Sequence, residues 1–353
     1  MFVVQYKEYL VNIEEVVAQM GLVLGSLPDA ECRIVFTQFD PDAVGSAVAL
    51  KAILEHHFKR RVTILYCGAI GHPQNLFLCT RYNLKQLVVP IQSAPVACDG
   101  VTILVDSCST TDKRIPQGLV LKPRMVFDHH VEDNGRVDRD GLVWIDNVGA
   151  TAVLITELAQ HLCPEVLADP LVALLLSLGI YTDTKSLKHT RKRDRLAYDI
   201  VCSNASETEL TEAINYRVRE SYFLQLTKAV RGWRRQGGKL VTGIGVVPAD
   251  EGDHVSVVAD ELIRMEGITF VVVWVIVDGV VRISARSLGS TIDLNEFLKN
   301  CFGNGGGKIG PDGRGEGGAI MEMSLHKMFH DIRSRRVMEK MVRTTLSNAV
   351  LAV

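Results

Sequence analysis

Four short segments carry acids or histidines at positions from which they could hold a metal ion. Each segment follows an apolar, strand-like run or forms a tight turn. The segments are FDPDAVGS with Asp40 and Asp42, ILVDSCST with Asp106, MVFDHH with Asp128, His129 and His130, and GIYTDT with Asp183. Carboxylates that are brought together repel one another unless a cation neutralises them. The residue types therefore predict a divalent metal centre.

The mixture of carboxylate and imidazole ligands indicates which ion is expected. Histidine favours Mn²⁺ over Ca²⁺, and Mg²⁺ is an alternative that prefers oxygen ligands and water. Two such ions about 3.5–4 Å apart can hold a phosphoryl group and activate water for attack. Asp40 and Asp42 could each reach one ion because both lie in one turn, and the helix that opens at 43–46 could attract phosphate.

Each of these residues also has a purely structural explanation. Asp106 and Asp183 are of a type that often caps helices or closes turns. His129 and His130 could be a half-buried pair that is satisfied by backbone groups. Because all four segments occur in order after strand-like runs, a shared metal site explains them better than four separate turns.

The elements around these segments predict an α/β fold. Short apolar runs separated by helices are typical of strands in a parallel sheet covered on both faces. The runs lie at 33–39, 61–66, 86–89, 101–105 and 124–127, and helices are predicted at 11–24, 43–58, 151–162 and 170–180. Ligands of open α/β sheets bind beyond the carboxyl ends of the strands. Acids that end successive strands should therefore meet in one crevice.

The length of 353 residues predicts two domains. We predict an N-terminal parallel-sheet domain over 1–190, a helical connector over 191–236, a smaller mixed α/β domain over 237–325 and a helical tail over 326–353. Strands of the second domain are predicted at 239–247, 269–277 and 280–287, and helices at 254–265 and 294–301. Asp278-Gly279 is a hairpin signal. The basic tail is interpreted as a solvated face, with a homodimer element or a nucleic-acid contact as alternatives.

Charge and composition narrow the classes of function. The chain has 39 Lys and Arg against 41 Asp and Glu, a formal charge of −2, which disfavours a long nucleic-acid duplex as the partner. No uncharged apolar run approaches about 20 residues, so no membrane partner is expected. The N-terminus is too charged for a signal peptide, and the eight cysteines form no CxxC pair. A cytoplasmic protein with reduced thiols is the expectation.

At these residues the sequence resembles the DHH phosphoesterase superfamily over most of 30–320. The similar motifs are DPDAVGSA, VDS at 105–107, the DHH triplet at 128–130 and YTDT at 181–184, followed by SARS at 284–287, GGGK at 305–308 and GEGGA. The last three resemble the signatures of the DHH-associated domain. The resemblance implies a metal-dependent phosphoesterase of two α/β domains with an active-site cleft between them.

The resemblance also implies a role for each residue. The metal ligands would be Asp40, Asp42, Asp106, His129 and Asp183, with Asp106 shared by two ions. His130 would contact the scissile phosphate or its attacking water, and Asp128 would orient a histidine. A terminal phosphate or base of the substrate would be held by Arg286, Gly305, Gly306, Gly307 and Lys308.

Two positions depart from the family pattern. Phe36 stands where many members have a histidine ligand, so one metal site is expected to be weak, completed by another group, or empty. Lys308 stands where many members have a histidine, and it supplies a fixed positive charge instead.

We predict a Mn²⁺-dependent phosphodiesterase or phosphatase that acts on short oligonucleotides or small nucleotides by metal-activated water. The size and the pairing of domains are most similar to the nanoRNase and 3′-phosphoadenosine 5′-phosphate phosphatase branch. The alternatives are a cyclic dinucleotide phosphodiesterase, an exonuclease on single-stranded DNA, and a nucleotide-binding regulator that has lost turnover.

Overall fold

The computed structural model describes residues 12–27, 30–93, 100–112, 114–130, 141–289, 292–303, 305–310, 313–323 and 332–352. It consists of two compact units, Met1–Ile70 with Gln74–Tyr216 and Gly71–Pro73 with Arg217–Val353. Some predicted positions lie outside the described residues: residue 11 of the first helix, residues 326–331 and 353 of the tail, and parts of the two predicted domains. No helix among the described residues combines the length and apolar composition that a membrane span needs.

The first unit is built on a parallel sheet of six strands. The strands are β1 (Cys32–Phe36), β2 (Val62–Tyr66), β3 (Val88–Pro90), β4 (Val101–Val105), β5 (Pro123–Asp128) and β6 (Leu142–Ile145). Their order across the sheet is β3-β2-β1-β4-β5-β6, and every neighbouring pair is parallel. The apolar runs form strands here because a parallel sheet buries both of its faces. The predicted parallel sheet is confirmed, and β6 is a strand that the sequence analysis did not identify.

The helices that accompany this sheet agree with the predicted ones except at their ends. They are α1 (Ile13–Gly25), α2 (Pro41–His56), α3 (Pro73–Arg81), α4 (Thr151–Leu162), α5 (Pro170–Asp183), α6 (Lys192–Cys202) and α7 (Glu207–Ile214). Helix α2 begins two residues earlier than predicted because Asp40 caps it and Pro41 suits the first helical position. Helix α5 continues three residues beyond the predicted end. Helix α3 was not predicted.

Two glycines allow α2 and α5 to approach each other closely. A Cβ on Gly45 would lie 2.8 Å from the backbone carbonyl of Leu175, and a Cβ on Gly179 would lie 2.8 Å from Cα of Asp42. Any larger residue would hold the two helices apart. Asp183 ends α5 four residues after Gly179, which is about one helical turn. The contact between Gly179 and Asp42 therefore brings the first turn of α2 close to Asp183.

The second unit is built on a mixed sheet. Its strands are β7 (Arg234–Gln236), β8 (Lys239–Val246), β9 (Phe270–Val277), β10 (Val280–Leu288), β11 (Gly305–Ile309) and β12 (Arg314–Glu322), in the order β11-β12-β10-β9-β8-β7. Only the β8–β9 pair is parallel in this sheet. Asp278 and Gly279 have φ values of 48° and 78°, which match the predicted hairpin turn. The prediction of a parallel sheet followed by a smaller mixed α/β unit is confirmed.

The helices of the second unit are α8 (Glu220–Gly232), α9 (His254–Leu262), α10 (Leu294–Phe302) and α11 (Ile332–Leu351). The segment 191–236, predicted as a connector, is divided between the units. Helices α6 and α7 pack on α5 in the first unit because Ala197, Val201 and Leu210 are buried in its core, whereas α8 packs on β8.

Candidate metal centre

The candidate ligands lie at the carboxyl edge of the parallel sheet, where the order of the strands reverses. Strands β1 and β4 are neighbours in the sheet although β2 and β3 lie between them in the sequence. Asp40 follows β1, Asp106 follows β4, and Asp128 ends β5. Such a switch point opens a crevice between the loops that leave the two central strands. The topology therefore delivers carboxylates from three neighbouring strands to one place.

His129 is at the centre of the cluster. Its Nε2 atom lies 3.5 Å from Oδ1 of Asp106, 3.7 Å from Oδ2 of Asp183 and 3.8 Å from Oδ2 of Asp42. Its other ring nitrogen, Nδ1, is 3.4 Å from the carbonyl oxygen of Val148. When Nδ1 donates to that carbonyl, Nε2 is the atom that faces the three carboxylates, which is the tautomer that binds a metal.

The separations from Nε2 of His129 are within the range for two ligands of one divalent ion. Two atoms that each lie about 2.1 Å from one ion are separated by roughly 3.0–3.5 Å at bond angles near 90–110°, and by up to about 4.2 Å at wider angles. The distances from Nε2 of His129 fall within that range. The ligand atoms of Asp42, His129 and Asp183 all lie within 4.8 Å of one another, and so do those of Asp106, Asp128, His129 and His130. The residues present therefore fit a metal ion.

Asp42 is held in place by the start of α4. Its Oδ2 accepts a hydrogen bond from the backbone N–H of Thr151, and its Oδ1 accepts one from Ala152, both at 2.7 Å. Ser46 donates a third bond to Oδ1 at 3.3 Å. A carboxylate suits this position because the amino-terminal end of a helix carries partial positive charge. The side chain is fully buried, so its direction is set before any ion binds.

The carboxylate of Asp128 is hydrogen-bonded to both His129 and His130. Its Oδ1 lies 2.8 Å from Nδ1 of His130 and accepts bonds from the backbone N–H groups of His129 and His130. Burial would raise the pKa of Asp128, but the bond from His130 and the charge of that histidine hold it below its ordinary value. Asp128 is thus in contact with a histidine, and its orienting role stays a prediction. Its Oδ2 is buried and has no hydrogen-bond partner in the described part of the chain.

Asp106 occupies an unusual backbone conformation. Its φ is +51°, a left-handed value that costs an ordinary side chain about 1 kcal/mol or more. Its Oδ1 accepts a bond from the hydroxyl of Thr151 at 3.1 Å. Burial, followed by the charges of nearby acids, raises the pKa of Asp106 well above its ordinary value of 3.8. Asp106 thus combines a left-handed backbone with a buried side chain that lies near several other acids.

Asp40 and Asp42 also have raised pKa values. Burial raises the pKa of each from 3.8 to about 6, and the charge of Asp42 contributes to the shift of Asp40. Asp183 ends α5, where the helix carries partial negative charge. Nearby acids in these surroundings repel one another, and a divalent cation would remove that repulsion.

Asp40 and Phe36 occupy two positions at which the family pattern implies metal ligands. The carboxylate of Asp40 caps α2 by accepting a bond from the N–H of Ala43 at 2.9 Å. Asp40 belongs to neither group of ligand atoms described above. Phe36 is fully buried at the end of β1 and stacks on Tyr66. The structure therefore brings together Asp42, Asp106, His129 and Asp183, and leaves Asp40 beside them.

The predicted substrate residues lie in the second unit. Arg286, on β10, forms a forked ion pair with Asp260 at 2.6 and 3.1 Å and donates to Ser284. Lys308 is 70% exposed and lies 3.6 Å from Glu316. Their roles in substrate binding stay predictions.

The triple glycine forms an edge strand. Gly305, Gly306 and Gly307 pair with β12. A Cβ on Gly305 would lie 2.9 Å from Leu298, and one on Gly307 would lie 2.9 Å from Leu294. These glycines thus have a packing role, because they allow α10 to lie directly on β11.

Several residues that shape the site have no signal in the sequence motifs. Val148, in the loop between β6 and α4, contacts His129, and Thr151, the first residue of α4, contacts Asp42 and Asp106. Asp194 holds that loop by accepting a bond from the N–H of Gly149 at 2.8 Å. The helical pattern from residue 151 indicated where α4 begins, but only the tertiary structure shows what the start of this helix contacts.

Comparisons with known proteins agree with this fold. No protein-family model matches the chain. An uncharacterised protein of Methanocaldococcus jannaschii, MJ1633, is 27% identical over 313 residues, which cover 88% of this chain and 62% of that protein. The chain thus spans less than two thirds of that relative's length.

Two solved structures are similar to the chain. An exopolyphosphatase-related protein from Bacteroides fragilis has a TM-score of 0.68 and 13% identity, covering 96% of this chain and 100% of the other. A RecJ exonuclease bound to manganese has a TM-score of 0.46 and 14% identity, with 95% of each chain covered; a score this low carries no inference. The fold of this chain is therefore similar to that of the exopolyphosphatase-related protein.

Proposed function

We propose that this chain is a metal-dependent phosphoesterase that hydrolyses phosphoester bonds in short oligonucleotides or small nucleotides. The observation that carries the proposal is the position of His129, whose Nε2 lies 3.5–3.8 Å from oxygens of three carboxylates. A divalent ion held by such a set supplies positive charge to a phosphoryl oxygen and makes water a better nucleophile. Mn²⁺ is the proposed ion because the set contains an imidazole, with Mg²⁺ as the alternative.

The residues around the ligands support phosphoryl chemistry. His130 is hydrogen-bonded to Asp128, and its side chain is 47% exposed. It can therefore reach a bound substrate while the carboxylate fixes the direction of its ring. In this position His130 can donate a hydrogen bond to a phosphoryl oxygen or orient the attacking water. The buried acids repel the anionic substrate unless they are neutralised, so turnover should depend strictly on the metal.

A basic segment supports an anionic substrate that extends beyond one phosphate. Within twelve residues of Asp183 the chain exposes four cationic side chains. They are Lys188, Arg191, Lys192 and Arg195. The formal charge of the whole chain is −2, so this concentration of positive charge is local. It favours a short oligonucleotide, whose phosphates repeat along a strand, over a nucleotide with one phosphate.

The experiment is a hydrolysis panel with Mn²⁺, comparing a dinucleotide, a longer single-stranded oligonucleotide, 3′-phosphoadenosine 5′-phosphate and a cyclic dinucleotide. We expect the dinucleotide to be cleaved fastest, and Asp106→Ala to remove all Mn²⁺-dependent turnover. Asp199→Asn is a matched control because it removes an exposed carboxylate elsewhere in the same unit. Preference for the cyclic dinucleotide or the long strand would favour the corresponding alternative enzyme. Nucleotide binding without turnover of any substrate would favour a regulator and reject the proposal.

A further inference from the structure

Residues 146–152 form the β6–α4 segment, which leads from the end of β6 into the first turn of α4. The carbonyl oxygen of Val148 in this segment lies 3.4 Å from Nδ1 of His129. The hydroxyl of Thr151 donates to Oδ1 of Asp106 at 3.1 Å. The first two N–H groups of α4 donate to the carboxylate of Asp42. The segment therefore contacts three of the residues that could hold a metal ion.

Helix α4 begins without a cap from its own side chains. Its N-cap residue is Ala150, which makes no side-chain hydrogen bond to the helix, although the first N–H groups of a helix need partners. The two oxygens of Asp42 accept from Thr151 and Ala152 instead, both at 2.7 Å. The direction of Asp42 and the position of the β6–α4 segment thus depend on each other.

Asp194, in the first turn of α6, holds the middle of this segment. Its side chain is fully buried. Its Oδ1 accepts a hydrogen bond from the N–H of Gly149 at 2.8 Å, and its Oδ2 accepts one from the N–H of Arg191 at 2.7 Å. One oxygen therefore caps the helix of Asp194 itself, and the other holds the β6–α4 segment. Hydrogen bonds to an ionised carboxylate are among the stronger ones in proteins.

Gly149 is enclosed between Asp194 and the end of α5. A Cβ on Gly149 would lie 2.5 Å from Cγ2 of Thr184 and 2.9 Å from Oδ2 of Asp194. Thr184 is buried and directly follows Asp183, another candidate ligand. A glycine permits this approach because it adds no side-chain atoms. The same contact therefore fixes the β6–α4 segment against the residue next to Asp183.

Arg193 holds both flanks of the segment. Its Nη1 donates to Oδ2 of Asp146, the first residue of the segment, at 2.5 Å. Its Nε and Nη2 donate to the carboxylate of Glu157, on α4, at 2.9 and 2.7 Å. Two consecutive residues of α6 thus hold the segment at its start, at its middle and on the helix that follows it.

We propose that Arg193 and Asp194 are positioning residues that set the geometry of the metal centre through the β6–α4 segment. The inference rests on the proposed function, because the side chains that the segment contacts are the candidate ligands of that centre. If Asp194 served only to cap α6, its loss would lower stability and would affect metal binding no more than other changes in this helix. The two tests below separate these roles.

The first test follows the segment in the absence of metal. Hydrogen exchange of the backbone amides at 149, 151 and 152 is measured in EDTA for the natural protein and for Asp194→Asn, which keeps the size of the side chain but offers an acceptor oxygen on one side only. We expect these amides to exchange at least about tenfold faster in the variant, the scale of one lost hydrogen bond to a charged group.

The matched control for this test is Val201→Ala. It removes buried packing from the same helix and keeps the carboxylate of Asp194. Urea unfolding in EDTA shows how much stability each variant loses. The amides of the segment should exchange faster in Asp194→Asn than in Val201→Ala at equal global stability. The same exchange rates in both variants would overturn the inference.

The second test measures the affinity for Mn²⁺ from the free-ion signal in electron paramagnetic resonance during titration of the full chain. Asp194→Asn should bind Mn²⁺ at least about tenfold more weakly than the natural protein, the usual cost of losing a group that orients metal ligands. Val201→Ala should stay within about twofold of the natural protein, because it changes packing away from the ligands. An unchanged dissociation constant in Asp194→Asn would contradict the inference.

Arg193→Gln decides the question if Asp194→Asn does not fold. The ion pairs of Arg193 are partly exposed, so their loss should leave the fold intact. This variant should weaken Mn²⁺ binding about threefold, the scale of a partly exposed ion pair, and an unchanged affinity would overturn the inference.

The substrate panel separates the inference from the proposed function. Mn²⁺ binding that depends on Asp194, without hydrolysis of any substrate in the panel, would support the inference and reject the proposed function. Hydrolysis by the natural protein together with unchanged Mn²⁺ affinity in Asp194→Asn would do the reverse.

Discussion

The Nε2 atom of His129 lies 3.5 Å from Oδ1 of Asp106, although the two residues follow different strands of the parallel sheet. Their strands, β4 and β5, are hydrogen-bonded neighbours, so the register of the sheet sets this distance. Asp106 also lies in a left-handed backbone conformation. The pair can share a cation without any movement of the backbone, and the predictions below start from this arrangement.

Asp106→Asn should stabilise the metal-free protein and remove its response to metal. The raised pKa of Asp106 means that its charged carboxylate destabilises the folded state. In the unfolded state at pH 7.5 the same group is ionised without this cost. Asparagine tolerates the φ of +51° and carries no charge. We expect the melting temperature in EDTA to rise by about 2–8 °C, which corresponds to 1–2 kcal/mol. Differential scanning fluorimetry with EDTA and with Mn²⁺ measures both effects; an unchanged Mn²⁺-induced rise in melting temperature would contradict them.

The affinity for Mn²⁺ should increase with pH. Burial raises the pKa of Asp42 from 3.8 to about 6. The folded, metal-free protein therefore favours the protonated carboxyl, and the stability that this group contributes below about pH 4 is lost as the pH rises through 6. Binding of the ion requires the ionised carboxylate. We expect the dissociation constant at pH 5 to be at least about tenfold higher than at pH 7.5, since Asp42 is then mostly protonated. Calorimetry at pH 5, 6, 7 and 8 tests this, and a constant affinity between pH 5 and 7 would refute it.

Asp128→Asn should reduce turnover more than it reduces metal binding. The bond between Oδ1 of Asp128 and Nδ1 of His130 fixes the histidine ring, and loss of such an orienting carboxylate usually costs about 10–100-fold in activity. We expect kcat to fall within that range with Mn²⁺ still bound. The control is the double variant Asp128→Asn with His130→Gln. If Asp128 acts through His130, the double variant is about as slow as His130→Gln alone; multiplied losses would argue for two independent roles.

Gly179→Ala should weaken both the fold and the metal site. Its Cβ would lie 2.8 Å from Cα of Asp42, so α5 would have to move away from α2. We expect the free energy of unfolding to fall by about 1–3 kcal/mol and Mn²⁺ to bind more weakly. Gly21→Ala, in α1, is the matched control because nothing lies within 4 Å of its added Cβ. This control should be neutral or slightly stabilising, and equal behaviour of the two variants in urea unfolding would exclude the packing argument.

Arg286→Ala should raise KM while leaving metal binding intact. The forked ion pair with Asp260 and the hydrogen bond to Ser284 fix the direction of the Arg286 guanidinium. The family resemblance implies that this guanidinium binds a phosphate of the substrate. Loss of one charged contact should raise KM by about tenfold. Steady-state kinetics with a dinucleotide, together with Mn²⁺ titration, separates the two effects. Unchanged KM and kcat would rule out the role of Arg286 in the substrate site.

The sequence by itself determined the identity of the elements and of most candidate ligands. Alternating helical patterns and short apolar runs depend on local composition, so β4 and α4 have the bounds that were predicted. The acids and histidines stand out because charged side chains are seldom buried unless they are paired or bind a metal. Phe36 also indicated a missing ligand, since a phenyl group cannot bind a cation whatever its surroundings.

Only the tertiary structure decided which of these residues share one position. Asp42 meets Asp183 because Gly45 and Gly179 let two distant helices touch, and no local pattern encodes that distance. The same holds for Thr151, which binds Asp42 from the start of another helix. Hydrophobic periodicity acts over a few residues, whereas register and side-chain packing act between segments far apart in the chain. A metal centre is defined by distances of a few ångströms, so its ligand set depends on packing and not on motif alone.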